Sequence, residues 1–316
     1  MNTTGQVYCA RIPLPGEPLP NDIQTVPARS LIHPSKPTND YISRDYNMNI
    51  YRGCSHGCVY CDSRSECYHI EQFDKVRPKA DALSLIDRDL RAKRRRGLIG
   101  TGAMSDPYNP LESALCLTRG ALALADKHRF GISLTTKSTL VTRDIDLYTR
   151  IRRHSAVDIR LTITTSDDAL CRLIEPNTPP SSERFHALKE LARAGLSVGV
   201  FITPVLPYVT DTVDNVLDIV SRAIAIGVTS IVMFPGMTLR TGNREYYYAA
   251  LNRHFPGLAK HYQSEYGDRY ELWSPRAEEI SSAFVRECES AGILHDFPSI
   301  NRMIRAMDGL EQMSLI

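Results

Sequence analysis

The feature that most constrains the fold is an alternation of apolar segments with amphipathic ones across the middle of the chain. Segments such as GISLTT, VDIRLTIT, SVGVFIT and SIVMF are apolar, with little change between one residue and the next. Strands of this kind are buried on both faces, as in parallel sheets covered by helices. Six strand–helix units in about 190 residues predict an α/β fold, a partial (β/α)6 TIM barrel with functional residues at the carboxyl ends of its strands.

The pattern also predicts where the elements lie. Strands are expected at residues 48–51, 98–102, 130–136, 157–165, 197–204 and 230–235. Helices are expected at residues 81–96, 112–128, 143–154, 183–194 and 212–226.

Three regions follow from these elements. Residues 1–44 are rich in proline and predict an extended, irregular N-terminal segment. Residues 45–240 form the predicted barrel. Residues 241–316 predict a helical C-terminal extension that packs across the barrel.

Composition excludes several classes of protein. The 316 residues carry a net charge of only +2, so contact with a nucleic acid requires a local basic patch. No apolar run is long enough to span a membrane, and the N-terminus lacks the pattern of a secretory signal. Of eight cysteines, three lie close together. This clustering predicts a metal site in a reducing cytoplasm rather than a disulfide scaffold.

The clustered cysteines are Cys54, Cys58 and Cys61, in the spacing C-x3-C-x2-C. Three thiolates can hold three irons of a cubane cluster and leave the fourth iron open to a chelating small molecule. Structural zinc is the alternative, but it needs a fourth ligand, which would have to be His56 or His69. The order of strand, cysteine loop and following βα units favours iron–sulfur.

The stretches NIYRGCSHGCVYCD, SDPYNPLE and EPNTPPSSERFHALKELARAGLSVGVFITPVLP resemble the spore photoproduct lyase-like branch of the radical S-adenosylmethionine (SAM) superfamily. The resemblance covers roughly residues 28–240. It implies a [4Fe–4S] cluster that gives one electron to SAM and yields a 5′-deoxyadenosyl radical, which abstracts a substrate hydrogen. It also implies an external reductant such as flavodoxin or ferredoxin.

The resemblance further implies which residues bind SAM. Ser105 and Asp106 match the family's SD motif and would accept from the amine or bond the ribose. Lys137 resembles the lysine that pairs with the carboxylate. Each residue also has an alternative without function. Ser105 and Asp106, which precede Pro107, could form a helix N-cap, and Lys137 could be a solvent-exposed charge in a loop.

Thr164 and Thr165 match the position of a ribose-binding hydroxyl, although threonine also simply favours strands. Tyr60 matches an aromatic residue that flanks the adenine or the reaction path, and it is the candidate catalytic residue. The pair Glu175-Pro176 resembles a family signature too, and a structural role is predicted for it.

The match breaks at Ala103, where spore photoproduct lyases carry the cysteine that returns a hydrogen atom to the product. Cys116 or Cys171 would be substitutes, but their helical context predicts buried, inert side chains. A tyrosine is a further alternative. The identity of the substrate and of the final hydrogen donor therefore stays open.

Two features bear on partners. A basic run on and after the first barrel helix predicts either a solvated helix end or a phosphate-binding surface; its members are Arg88, Arg91, Lys93, Arg94, Arg95 and Arg96. The last five residues, from Gln312 to Ile316, resemble the peptide that docks on the bacterial sliding clamp. The first hypothesis is an enzyme acting on DNA or a modified nucleobase. The alternatives are a small metabolite or peptide as substrate, and a non-catalytic metal-binding nucleic-acid module.

Overall fold

A computed structural model of the chain describes residues 11–20, 22–36 and 41–307. The predicted clamp peptide lies outside these residues. None of the helices within them is long and apolar enough to cross a membrane.

The chain is an α/β protein. Its strands are β1 Ile32–Pro34, β2 Tyr46–Met48, β3 Tyr51–Arg52, β4 Arg77–Pro78, β5 Leu98–Thr101, β6 Gly131–Thr136, β7 Val157–Thr162, β8 Ser197–Ile202, β9 Ser230–Met233, β10 Gly236–Thr238 and β11 Glu271–Trp273. Its helices are α1 Ala82–Ala92, α2 Glu112–Leu115, α3 Leu117–His128, α4 Ile145–Ile151, α5 Asp168–Ile174, α6 Ser181–Arg193, α7 Val213–Ile226, α8 Asn243–His254, α9 Leu258–Tyr266, α10 Ala277–Ser290 and α11 Phe297–Met307.

The central sheet has the strand order β1-β2-β5-β6-β7-β8-β9. Strands β2 and β5 to β9 run parallel to one another, whereas β1 pairs antiparallel with β2 at the edge. This arrangement of six parallel strands confirms the predicted fold class and is that of a partial barrel. Because the strands are parallel, the loops that follow β2, β5, β6 and β7 all open at one edge of the sheet.

The two faces of the sheet differ in polarity. Ile132, Leu134, Ile159 and Val198 alternate along their strands and belong to the main hydrophobic core. Between them stand polar residues that are nevertheless buried, among them Asp158. The strands are therefore apolar toward the helices and partly polar toward the barrel interior.

Several boundaries differ from the prediction. The expected helix at 112–128 is divided into α2 and α3 at Cys116, which has a φ of 54°. A non-glycine residue in the left-handed region interrupts the regular hydrogen-bond pattern, and composition does not signal it. The expected strand at 48–51 is instead the end of β2 followed by β3, which pairs with β4 outside the main sheet.

The two flanking regions contain strands that were not predicted. The N-terminal segment contributes β1, so it is not wholly irregular. The C-terminal region contributes β11, which pairs with β10. Both strands are three residues long, too short to show a period in the sequence.

The C-terminal helices pack against different parts of the barrel. Helix α10 lies on α7. Ile300 and Ile304 of α11 pack with Phe201 and Leu98. Helices α8 and α9 share a hydrophobic cluster with the cysteine loop, through Tyr247, Tyr262 and Tyr60. The extension thus covers the barrel, and α8 and α9 stabilise the loop that carries the three cysteines.

Candidate cofactor site

The cysteine loop begins immediately after β3 and is held by backbone hydrogen bonds on both sides. On the first side, the Cys54 amide donates to the Phe73 carbonyl at 2.9 Å. Gly53 has a φ of +81°, and a Cβ at this position would overlap the Phe73 carbonyl oxygen. Glycine is therefore required here by both backbone conformation and space.

On the second side, the segment after α5 holds the loop. The Asn177 amide donates to the His56 carbonyl at 3.1 Å, and its side-chain amide donates to the Ser55 carbonyl at 2.9 Å. The Val59 amide donates to the Ile174 carbonyl at 2.9 Å. These contacts join residues more than a hundred positions apart and fix the loop at the carboxyl end of β7.

Ser105, which follows β5, contacts the start of the loop. Its hydroxyl is buried and donates to the Gly53 carbonyl oxygen at 2.5 Å. The predicted SD serine is therefore next to the cysteine loop, and its contact in this structure is with the loop backbone.

The three thiols lie in a poorly solvated environment. Burial raises the pKa of Cys54 to about 12 and raises the pKa of both Cys58 and Cys61. The charge of Lys137 opposes this effect at Cys58 and Cys61. Burial also works against the charge of Lys137, but the neighbouring Cys58 and Glu175 outweigh it and leave the pKa of Lys137 raised. The lysine is thus a fixed positive charge facing two of the three thiols.

Asp106 forms a hydrogen-bond centre on the β5 side of the loop. Its Oδ1 accepts from the Tyr108 amide at 2.8 Å and from the Thr136 hydroxyl at 2.6 Å. Its Oδ2 accepts from the Lys137 amide at 2.8 Å and lies 3.4 Å from His56 Nδ1. The carboxylate therefore connects the ends of β5 and β6 with the cysteine loop.

Glu175 forms a second centre on the β7 side. Its Oε2 lies 2.5 Å from Arg184 Nη2, and both side chains are fully buried. Its Oε1 accepts from the Thr164 hydroxyl at 3.0 Å and from the Tyr60 hydroxyl. Burial alone would raise the pKa of Glu175, yet the charges of Arg184 and Lys137 outweigh it and hold that pKa below its ordinary value.

Apart from Thr165, the predicted cofactor-binding residues lie near the loop, and several of them have protein partners. Thr164 and Tyr60 donate to Glu175, and the Tyr60 ring also lies 5.6 Å from the Lys137 ammonium. Thr165 is buried, and its hydroxyl accepts from the Asp167 amide at 3.2 Å at the start of α5.

Sequence reasoning missed Arg184 and the charged centre that it forms. The residue lies on α6, whose remaining pattern is ordinary, and no local signal shows that its guanidinium faces inward. Its contacts with the Thr162 carbonyl at 2.9 Å and the Pro179 carbonyl at 2.8 Å hold α6 against β7. The pair Glu175-Pro176 was the only available sequence signal, and the predicted structural role of Glu175 agrees with its contacts.

Residues 48–220, more than half of the chain, match the family model described as the radical SAM superfamily. The chain belongs to the radical SAM superfamily. An uncharacterized protein of Methanocaldococcus jannaschii is 31% identical over 80% of this chain and 87% of its own length. An uncharacterized protein of Mycobacterium tuberculosis is 29% identical over 70% of this chain and 67% of its own length.

Solved structures share the fold of this chain. A spore photoproduct lyase complexed with a dinucleoside spore photoproduct superposes with a TM-score of 0.58, at 14% identity, over 82% of this chain and 78% of that one. At this identity the likeness concerns the fold. It agrees with the predicted fold, and the family model confirms the superfamily that the cysteine loop indicated.

Radical SAM proteins use a [4Fe–4S] cluster and SAM. The residues of this chain fit the cluster, because one glycine-containing loop presents three thiols, two of them buried and that of Cys61 half-buried, with a cation facing Cys58 and Cys61. The zinc alternative is not supported, since His56 faces Asp106 and His69 is exposed to solvent. Within the described ranges, no group of three His, Cys, Asp or Glu side chains is arranged to hold a single metal ion.

The candidate substitutes for the missing hydrogen donor are both buried, as predicted. The Cys116 thiol accepts from Arg143 at 3.4 Å, and the Cys171 thiol donates to Glu175 at 3.7 Å. Ala103 is exposed on the loop after β5. In this radical SAM protein, neither cysteine lies free at the surface beside that loop.

Proposed function

We propose that the chain reductively cleaves SAM and abstracts a hydrogen atom from DNA or from a modified nucleobase. The observation that supports the enzymatic part is the placement of three thiols, largely shielded from solvent, at the carboxyl ends of the parallel strands, with the Lys137 ammonium facing two of them. Catalytic sites of barrels with parallel strands lie at this edge.

When bound, the cluster and SAM supply a one-electron cleavage that produces a 5′-deoxyadenosyl radical. Cys54, Cys58 and Cys61 would hold the cluster. Lys137 would orient the SAM carboxylate as a point charge. Asp106 would accept a hydrogen bond from the SAM amine, because its partners are two backbone amides, a hydroxyl and the His56 imidazole, whose pKa is lowered by burial, and not a lysine or arginine side chain.

In this proposal, three residues position the cysteine loop: Ser105, Thr164 and Tyr60. Ser105 holds the first glycine of the loop, and Thr164 and Tyr60 share one oxygen of Glu175. Thr165 would fix the turn into α5. These contacts would keep the cysteines in the positions from which they would hold the cluster.

Aromatic and basic residues near the barrel mouth support DNA as the substrate class. Trp273 is 48% exposed, and its ring lies 4.9 Å from that of Phe234, just beyond the carboxyl end of β9. The Arg240 guanidinium lies 4.4 Å from the ring of Tyr270. Exposed aromatic rings accept stacked bases, and arginine adds charge attraction for the phosphates.

A small metabolite or peptide is the second candidate substrate. The observation that favours it is Ala103, which removes the hydrogen-donating cysteine of the lyases that this chain resembles. A non-catalytic metal-binding module is the third. This function would require that the cysteines bind metal and that the protein does not cleave SAM.

The test is anaerobic reconstitution with iron and sulfide, followed by dithionite and SAM, with 5′-deoxyadenosine measured by chromatography. We expect four irons per chain and release of 5′-deoxyadenosine. Cys58→Ala should lose both cluster and product, because one of three thiolate ligands is missing. Cys67→Ala is the matched control, since that thiol is exposed and outside the triplet.

Two outcomes would contradict the proposal. Retained cleavage in Cys58→Ala would remove the cluster assignment. A wild-type protein that takes up one zinc and no iron would instead support the non-catalytic module.

A further inference from the structure

A cluster of three cations lies beside the cysteine loop and is separate from the residues assigned so far. It consists of Arg52 on β3, Arg77 on β4 and Lys79, two residues beyond Arg77. The register pairs Arg52 directly with Arg77 across the two strands. Like charges placed opposite each other in a strand pair are destabilising. The pairing of β3 with β4 therefore keeps two positive charges opposite each other, at an electrostatic cost that formation of the fold does not require.

The charges in this cluster, called here the basic hairpin, are not balanced by carboxylates. In the part of the chain that the structure describes, none of the three cations has an ion pair. Arg52 donates to the His69 carbonyl at 2.5 Å, and Arg77 donates to the Glu71 carbonyl at 2.9 Å. Arg77 Nε is buried without a partner. Burial, and then repulsion from Arg52 and Arg77, lower the pKa of Lys79.

A cleft of about 190 Å³ opens between the basic hairpin and the cofactor site. Arg52 and Lys79 line this cleft together with Gly53 and Ser105. Arg77 is not among the lining residues, and it lies directly opposite Arg52 in the strand pair. Gly53 is the residue before the first cluster cysteine, and Ser105 holds it in place. A group bound in this cleft would therefore lie directly beside the cysteine loop. The cleft is smaller than the usual pocket for a whole small-molecule ligand, and suits one compact anionic group.

We propose that the basic hairpin binds a phosphodiester group of a DNA substrate and so places the adjoining nucleotide at the cofactor site. Guanidinium and ammonium groups are the usual partners of phosphate oxygens. Tyr68, which lines the same cleft, offers an aromatic ring close to that phosphate. This inference rests on the proposed function, because it names how the substrate of that site is held.

The test compares the basic hairpin with the other basic region of the chain. Binding of a fluorescent single-stranded DNA of about 12 nucleotides to the reconstituted full chain is followed by anisotropy over a salt series from about 50 mM. The variants are Lys79→Met and Arg77→Gln, with Lys79→Arg to keep the charge. The matched control is Arg94→Gln, in the exposed run beyond α1, near the amino end of β5.

We expect Lys79→Met to weaken binding roughly three- to fivefold and to reduce the salt slope by about 0.7, the value for one lost single-strand phosphate contact. Arg77→Gln should weaken binding by a smaller factor, because Arg77 contributes its charge from beside the cleft and does not line it. Lys79→Arg and Arg94→Gln should stay close to wild type. Iron content is measured for every variant, so that a lost cluster is not mistaken for a lost contact.

Four results would overturn the inference. Unchanged binding in Lys79→Met and Arg77→Gln, with loss in Arg94→Gln, would place the phosphate contact on the basic run. Displacement of the DNA by a few millimolar inorganic phosphate, about as well as by unlabelled DNA, would indicate a site for a small phosphate. Clearly tighter binding of RNA with the same sequence would indicate RNA. Equal displacement by polyglutamate would indicate a site for any polyanion.

Failure of this inference is distinguishable from failure of the proposed function. A wild-type protein that releases 5′-deoxyadenosine but binds no DNA retains its enzyme class and loses the basic hairpin as a substrate contact. A protein that binds DNA through Lys79 and Arg77 but never cleaves SAM retains the contact and loses the proposed reaction.

Discussion

Two carboxylates, the fully buried Glu175 and the largely buried Asp106, lie on opposite sides of the cysteine loop and have different kinds of partner. Glu175 faces the guanidinium of Arg184 at 2.5 Å, and both side chains have no solvent exposure. Asp106 accepts from two backbone amides and one hydroxyl, and its side chain keeps 9% exposure. A charge that is compensated inside the protein is fixed in place, whereas one held by neutral donors can exchange a partner.

Because their partners differ, we expect the two carboxylates to have different roles. Glu175 connects α5, α6 and the cysteine loop, so its contribution is to the position of the loop. Asp106 lies between the ends of β5 and β6, where the polar end of SAM would be bound. Lys137 connects the two centres, because its amide donates to Asp106 and its ammonium group lies close to Glu175.

The largest expected effect comes from breaking the charged pair. Arg184→Met should lower the free energy of unfolding by about 3–5 kcal/mol, because Glu175 would remain buried without its cation. The measurement is urea unfolding followed by circular dichroism. Arg193→Met, at an exposed position of the same helix, should change stability by less than about 0.5 kcal/mol. Similar losses in the two variants would show that Glu175 and Arg184 do not act as a compensated pair.

The next effect should appear in binding rather than in stability. Asp106→Asn removes the charge that would accept from the SAM amine, and we expect the Kd for SAM to rise about tenfold, or about 1.4 kcal/mol. Calorimetry on the reconstituted protein provides the measurement. Glu112→Gln is a control that neutralises a buried carboxylate which pairs with Arg143 and accepts from Tyr51 on β3, and which, among the described residues, has no hydrogen bond or ion pair with Lys137 or the three clustered cysteines. If Asp106→Asn binds SAM with the wild-type Kd, Asp106 does not contact SAM, and its role is to stabilise the site, as that of Glu175 is.

The smallest effect concerns the two hydroxyls that share Glu175 Oε1. Tyr60→Phe and Thr164→Val should each cost about 1 kcal/mol of stability. Because both donate to one oxygen, the double variant should depart from additivity by about 0.5 kcal/mol or more. Unfolding of the two single variants and the double variant gives this coupling energy. Strict additivity would mean that the two hydroxyls do not depend on each other through Glu175.

Much of the fold could be predicted because its signals are local. A strand buried on both faces needs apolar residues throughout, and this requirement identified β5 to β9 to within a few residues. The boundaries were less accurate where backbone conformation decides them, as at Cys116, which divides the helix expected at 112–128. Short strands such as β1 and β11 owe their existence to pairing partners distant in sequence.

The sequence by itself determined the cysteine triplet, the glycines that let its loop turn, and the set of polar residues at the ends of β5, β6 and β7. Spacing and residue chemistry sufficed for these, because ligand type and backbone freedom are properties of single residues and near neighbours. Only the tertiary structure decided that Arg184 turns inward to Glu175, and that Arg52 lies opposite Arg77. Electrostatic energy depends on distance in space and on burial, and neither can be read from separation along the chain.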